Sequence, residues 1–495
     1  MKLRIFSVAL IFAFAISVNA TTYKADVPKS IITPNQVESK YLGELTYTDG
    51  APSLESHTKA RDFVDTADAV RVFLSGIPIA SIQGLLLGHE SVGMKPNKTI
   101  GISENMLNAN SIWLTANTTT PYVTSEIDVK NGPVVLEVAT PILGLLDNAA
   151  FKFTSRVGVT HEQDRGKGGK YFFYHHSYKK ELPKGYIYVE TEGYQHWLLV
   201  RIITKPATLH ADVKNLKNTM KLYPYGSKEE TEFLDLTGIK YNTVHAMDHT
   251  FYDEINSLIQ YEPASLFDSE WLSLAKRLGI EKGKAFKPDT RMQGILKEAA
   301  KIATAEARSY YFHPDETVIT YDDRKWFTPL INGHKFIDNN NGVPNADDRA
   351  MFHFMATGIT PDMVTKTVGR GSDYRLATRD IDNKLLDGSK HYTVTLPANA
   401  PVTKFWSFMI YDNQTRSMLE TEQVAAGLDG LSKGVKENKD GSVTIHFSAK
   451  APKGAEGNWV QTTPNKGFNV IFRVYGPTET WFDGSWKPSD FQEIK

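Results

Sequence analysis

Cysteine is absent from the 495 residues. Without it there is no disulfide, no thiolate metal site and no cysteine nucleophile, so a small disulfide-stapled extracellular module is excluded and stability must come from core size. Excess charge is absent as well. A formal net charge of −1, with no block of like charge, gives no field to draw nucleic acid or anionic lipid, and neither is expected as a partner. Catalytic signatures are also missing. No G-x-S-x-G or HExxH occurs, and "HEQDR" and "HESVG" both lack the second histidine. A triad assembled from distant residues needs no motif, so nucleophilic hydrolysis stays open.

What is present is globular: 41% hydrophobic and 11% aromatic content over this length can bury a large core in two domains or more. The first twenty residues differ. "MKLRIFSVALIFAFAISVNA" sets Lys2 and Arg4 ahead of an apolar run from Ile5 to Ile16, then Val18-Asn19-Ala20, the pattern of a secretory leader cleaved after Ala20. That run is too short for a hydrocarbon core of ~30 Å, and nothing later in the chain is expected to be longer. The expectation is a periplasmic or secreted protein with no membrane span in the mature chain.

Periodicity organises the rest. Ala60, Phe63, Val64, Ala67, Val70, Phe73 and Leu74 recur at helical spacing, and "IASIQGLLLGHE" continues the helix. From Asn110 the period changes to short β-branched and aromatic runs, "YVTSEIDV", "GPVVLEVA", "KYFFYHH", "GYIYVET" and "HWLLVRII", an antiparallel sheet or sandwich. Residues 21–206 therefore form an α+β unit behind the leader at 1–20. Residues 207–310 return to helical spacing (Phe251, Ile255, Leu258, Ile259; Trp271, Leu274, Leu278; Ile295, Ala299, Ile302) and read as a helical connector. Residues 311–495 carry "HYTVTLP", "KFWSFMIYD", "GSVTIHF" and "FNVIFRVYG" between turn signals, a C-terminal antiparallel β-sandwich.

The tract "DRGKGGKYFFYHH" invites three chemical readings. It fails the Walker pattern, because Lys170 leads into a strand and not a helix, so a glycine turn entering a hairpin is preferred. His175 and His176, adjacent in a strand, should point to opposite faces, one under the sheet and one to solvent. The better metal candidates are His245, Asp248 and His249. His245 and His249 have the i, i+4 spacing that stacks two imidazoles on one helix face, but Thr250 and Asp253 form a capping box that leaves His245 in the preceding loop. "DNNNGVPNADD" lacks the ligand pattern of an EF-hand and reads as a solvated loop. No cofactor is expected, with a divalent metal kept as an alternative.

Arginine and aromatic side chains are dense in the C-terminal unit, among them Trp406, Arg416, Arg473, Tyr475 and Trp486. Packed in a sandwich they are core and rim. Gathered on a concave face they would make a stacking platform with ionic handles for a small polar or glycan-like ligand.

As a set, these segments resemble two tandem bacterial families, the domains of unknown function 1254 and 1214. "TPYVTSEIDVKNGPVVLEVATP" and the tract from Asp164 to Arg201 resemble the first; "GRGSDYRLATRDIDNKLLDGSKHYTVTLP", "FWSFMIYDNQTRSML", "NWVQTTP" and "FRVYGPTETWFDGSWKP" resemble the second. The resemblance implies an α+β multidomain chain ending in a jelly-roll-like sandwich, and a homo-oligomer. It implies no reaction. The polar positions that match its motifs include Asn117, Arg201, Arg416, Asn458, Arg473 and Tyr475, which are the ligand-binding candidates. Asn458 and Arg473 are expected on neighbouring strands, where a buried network competes with a ligand site.

Two functions follow as expectations. One is an exported binding protein for a small polar or glycan-like ligand. The alternative is an exported hydrolase, metal-assisted or not, with carboxylates and histidines gathered at the junction of the two β units. The discriminating observation is a pocket: convergence of these residues with hydrogen-bonding capacity left over means recognition or chemistry, and mutual saturation means architecture.

Overall fold

A computed structural model describes residues 26–330, 332–338 and 341–495. The leader at 1–20 lies outside the described residues. The chain divides into two compact units, 1–64 and 65–495. In the first, strands Gln36–Ser39, Gly43–Thr48 and Ala51–Pro52 form an antiparallel sheet, and the Ser56 hydroxyl accepts the Thr46 amide.

The second unit holds both β units and the helices from residue 65 on. Helix Leu54–Ser91 is long and apolar enough to cross a membrane, against the expectation that nothing after the leader is longer, yet its apolar window is 72% buried inside the protein, as a core helix is. The predicted stripe drifts: Phe63 and Val64 are exposed, while Ala69, Val72, Phe73 and Ile77 are fully buried. Beyond Val72 the helix is apolar all round, so packing and not periodicity selects its face.

Strands Thr99–Ile102, Tyr122–Asp128, Ile142–Asn148, Phe153–Gly158, Gln195–Ile202 and Glu232–Asp235 make one six-stranded sheet. Strands Val134–Val138, Gly169–His175, Ile187–Thr191 and Lys221–Pro224 make a four-stranded one. Val123, Ile127, Leu198 and Val200 alternate into the layer between these sheets, where Leu136, Tyr171 and Phe173 meet them. Tyr122, Trp197 and Leu199 take the opposite face and join the cluster built on the helices. Both faces are buried, which explains the nearly continuous apolar runs.

Gly166 and Gly168 turn with φ of 79° and 81°, and Asp164 accepts the amides of both, so the tract around Lys170 is a turn entering a strand. It does not enter a hairpin: the strand from Gly169 pairs antiparallel with Val134–Val138 and parallel with Ile187–Thr191. His175 is buried and His176 exposed, but their rings lie 4.0 Å apart, because the strand ends at His175 and strict alternation ends with it.

The segment from 207 to 310 supplies strands as well as helices, since Lys221–Pro224 and Glu232–Asp235 complete the two sheets above. Helices Phe251–Tyr261, Ser269–Arg277 and Thr290–Phe312 follow, with Ile255, Ala275, Ala299 and Ala303 fully buried; Ile302 faces out. Thr250 makes no side-chain capping bond; Asp248 accepts the Thr250 amide at 2.9 Å instead.

The C-terminal unit is a sandwich of two four-stranded sheets, the layout of a jelly roll. One orders strands Ser372–Ala377, Phe468–Pro477, Val402–Asp412 and Gly427–Asp429; the other orders Trp459–Gln461, Val443–Ser448, Tyr392–Leu396 and Gln492–Glu493. Phe408 and Phe447 meet between them at 5.7 Å. The whole is an α+β multidomain protein.

Candidate functional site

A cavity opens where the outer face of the six-stranded sheet meets the outer face of the sheet carrying Arg473. Its enclosed volume is about 80 Å³. Strand register explains what lines it. In the first sheet Tyr122 stands directly opposite Arg201, and in the second Tyr374 stands directly opposite Arg473. Each sheet thus offers one cross-strand tyrosine–arginine pair to the same space. Period two does the sorting: Val470, Phe472 and Val474 fill the sandwich, so Ile471, Arg473 and Tyr475 face the cavity.

The arginines are the chemically unusual part. Arg473 is 4% exposed and commits Nη2 to the Thr115 carbonyl at 2.9 Å and the Tyr411 hydroxyl at 2.8 Å, while its Nη1 has no partner in the protein. Arg201 stacks its guanidinium over the Tyr122 ring at 5.4 Å, and among the described residues its side chain makes no hydrogen bond or ion pair. No aspartate, glutamate or histidine is among the lining residues. Burial acts against the Arg473 charge, but attraction to the Tyr411, Tyr475 and Tyr122 phenols, which ionise only at high pH, and the bond to Tyr411 hold the group above the ordinary arginine range. Burial likewise pushes the Tyr122 phenol up against the pull of both arginines, so Tyr122 is neutral. Two positive charges therefore face the cavity without a carboxylate.

Asn117 positions the tyrosine. Its Oδ1 accepts the Thr119 amide at 2.9 Å, the Thr119 hydroxyl at 3.0 Å and the Thr120 amide at 3.2 Å, which fixes the amide orientation. Nδ2 then donates to the Tyr122 oxygen at 2.6 Å, and the Tyr122 hydrogen remains free to donate elsewhere. The Thr357 hydroxyl in the wall also lacks a partner. Thr115 holds a φ of 51°, an outlier for a β-branched residue, and presents its carbonyl to Arg473.

Of the ligand-binding candidates, Arg201, Arg473 and Tyr475 line the cavity, and Asn117 stands behind it through its bond to Tyr122. Arg416 does not. It is buried elsewhere, donating to the Phe354 carbonyl at 2.6 Å and facing His245 Nε2 at 3.4 Å, and burial lowers its pKa to about 9. Asn458 is saturated by the Lys436 amide and by the Lys436 and Thr444 carbonyls. Nor do Asn458 and Arg473 sit on neighbouring strands; they belong to opposite sheets of the sandwich, since the strand after Asn458 pairs with Val443–Ser448.

His245, Asp248 and His249 are not brought together either. His245 Nδ1 donates to the Ala246 carbonyl, leaving Nε2 as the acceptor toward Arg416, and burial lowers its pKa to about 3. Asp248 and His249 are exposed in the turn before the helix, because the helix starts only at Phe251. Among the described residues no group of three or more histidine, aspartate or glutamate side chains is arranged to hold a metal. The junction exists, but the carboxylates and histidines expected there do not line it.

Tyr122 and Tyr374 were missed by sequence reasoning. Both lie in quoted segments, "TPYVTSEIDV" and "GRGSDYRLATRD"; what singles them out is the cross-strand register.

The fold and site can now be compared with known proteins. The crystal structure of the VPA0106 protein from Vibrio parahaemolyticus is similar over 87% of this chain and 100% of its own, with 18% identity and a TM-score of 0.53, a likeness of fold. A Burkholderia cenocepacia crystal structure covers 89% of each chain at 11% identity and a TM-score of 0.37. No curated protein matches the sequence. Two families described as proteins of unknown function match in tandem, DUF1254 over residues 97–224 and DUF1214 over residues 371–479. Tyr122 and Arg201 fall in the first match and Tyr374 and Arg473 in the second, so the cavity lies between the two segments that these family models match in tandem.

Proposed function

We propose that the protein is an exported binding protein whose ligand is a small anion held between the two β units by Arg201 and Arg473. One observation carries this: two charged arginines with unused donors share a cavity that no carboxylate lines. A buried guanidinium without a counter-ion is costly, and an anionic ligand offsets that cost through charge-assisted hydrogen bonds. A neutral glycan is the weaker fit. Sugar hydroxyls need acceptors, and the Thr115 and Ala116 carbonyls are already taken by Arg473 and Tyr411. Export is proposed on the leader sequence.

The test is a thermal-shift screen of the mature protein against organic and inorganic anions, with neutral sugars and amines as controls. At least one anion should raise the melting temperature, and Arg201→Gln should weaken that anion's apparent affinity by roughly 10-fold or more, since a hydrogen bond to a charged group contributes about 1.5–3 kcal/mol. If no anion stabilises the protein, or Arg201→Gln responds like the parent, the reading is wrong.

A further inference from the structure

The walls of the cavity say more about the anion than its charge. We infer that the ligand is a short monocarboxylate with an apolar body, its carboxylate held by Arg473, Arg201 and Tyr122 and its body lying against the carbon side chains around them. This rests on the anion-binding reading above and narrows it.

The polar side chains in the wall are few, and they come mainly from the two tyrosine–arginine pairs. The remaining wall is carbon: Leu145 and Leu199 stand opposite each other on the first sheet, while Leu330, Phe352, Met355 and Met363 close the other side. A tetrahedral phosphate needs donors around its whole surface. A carboxylate needs them at one end only, and guanidinium forks match its planar oxygens. Arg473 supplies the buried Nη1 that nothing in the protein uses, and Tyr122 supplies a hydroxyl hydrogen because Asn117 already occupies its oxygen.

Size sets the length of the body. The enclosed volume of about 80 Å³ is small beside the ~150 Å³ that takes one benzene ring, so the floor holds only a short body and the partly open mouth takes the next methylenes, up to about hexanoate. The mouth limits the fit less than the floor does. Leu330 and Met363 are only partly buried, so a longer chain would extend past them into water and add little affinity.

The experiment is a calorimetric titration of the mature protein with acetate, butyrate, hexanoate, decanoate, inorganic phosphate, hexanol and hexylamine. Burial of each methylene tightens binding by about 4-fold, so hexanoate should bind on the order of 100-fold tighter than acetate. Decanoate should gain little beyond hexanoate, and hexanol, hexylamine and phosphate should not bind. Arg201→Gln, a change at a partly exposed position, should weaken hexanoate by about 10-fold or more without changing the chain-length dependence. Phosphate or acetate binding as tightly as hexanoate would overturn the carboxylate inference and leave the anion reading standing. Failure of every anion would remove both.

Discussion

Asn117 and Asn458 look alike in sequence, two buried amides in polar motifs, and the structure separates them by what their partners do next. Asn117 holds Tyr122 for the cavity; Asn458 ties Lys436 to Thr444 and ends there. Replacing either with alanine leaves buried donors or acceptors unpaired and should cost about 1–3 kcal/mol in denaturant unfolding. Only Asn117→Ala should also weaken anion binding, and equal effects of both variants on affinity would contradict the assignment. Tyr122→Phe keeps the buried ring but removes one donor and leaves the Asn117 Nδ2 without its acceptor, so it should lower affinity and also cost about 1–3 kcal/mol in unfolding. At this scale the residue types were legible in the sequence and the pairings were not. Arg473 and Tyr475 alternate within one strand and could be read together. Tyr122 and Arg201 meet only through a register fixed by burial of Val123, Ile127, Leu198 and Val200 on the other face.

Among the elements, the helix Leu54–Ser91 depends on two glycines. A Cβ on Gly84 would sit 2.8 Å from the Thr243 carbonyl oxygen and the His245 amide, and one on Gly88 would sit 2.5 Å from the Asn242 carbonyl oxygen. The neighbouring backbone cannot yield as a flexible side chain would. Gly84→Ala and Gly88→Ala should each cost about 1–3 kcal/mol. Gly294 is the contrast: it is exposed within helix Thr290–Phe312 with nothing near its Cβ position, so Gly294→Ala should stabilise by about 0.5–1 kcal/mol. Matching effects at all three positions in chemical denaturation would contradict this packing. The central strands were legible because both faces are buried and the apolar runs are long. Short strands such as Lys221–Pro224 and Glu232–Asp235 were not, because pairing with a distant strand, and not their own pattern, makes them strands.

For the molecule as a whole, buried ionisable groups set the pH range of stability. Burial lowers His89 and His196 to about 4 and His245 to about 3, from an ordinary value of 6.5. It raises Glu126, Glu254 and Glu262 to about 7, from 4.5. Below pH 6.5 the unfolded histidines bind protons that the folded ones refuse, so they make stability fall as pH falls. Between pH 4.5 and 7 the folded glutamates hold protons that the unfolded ones release, so they make stability rise as pH falls. His353 and Asp147, shifted down and up respectively by burial, add one more of each kind. The two sets oppose each other between pH 4.5 and 6.5. The urea midpoint should therefore change little across that window, then drop steeply toward pH 3, where the glutamates no longer compensate. A steep continuous loss beginning at pH 6.5 would show that the glutamates do not hold their protons in the fold.

The central claim, that Arg201 and Arg473 together form an anion site, is tested most directly by anomalous diffraction from a crystal soaked in bromide. An anomalous peak within hydrogen-bonding distance of Arg473 Nη1 and beside the Arg201 guanidinium is the predicted result. Bromide bound elsewhere on the protein, with none between these two arginines, would contradict it.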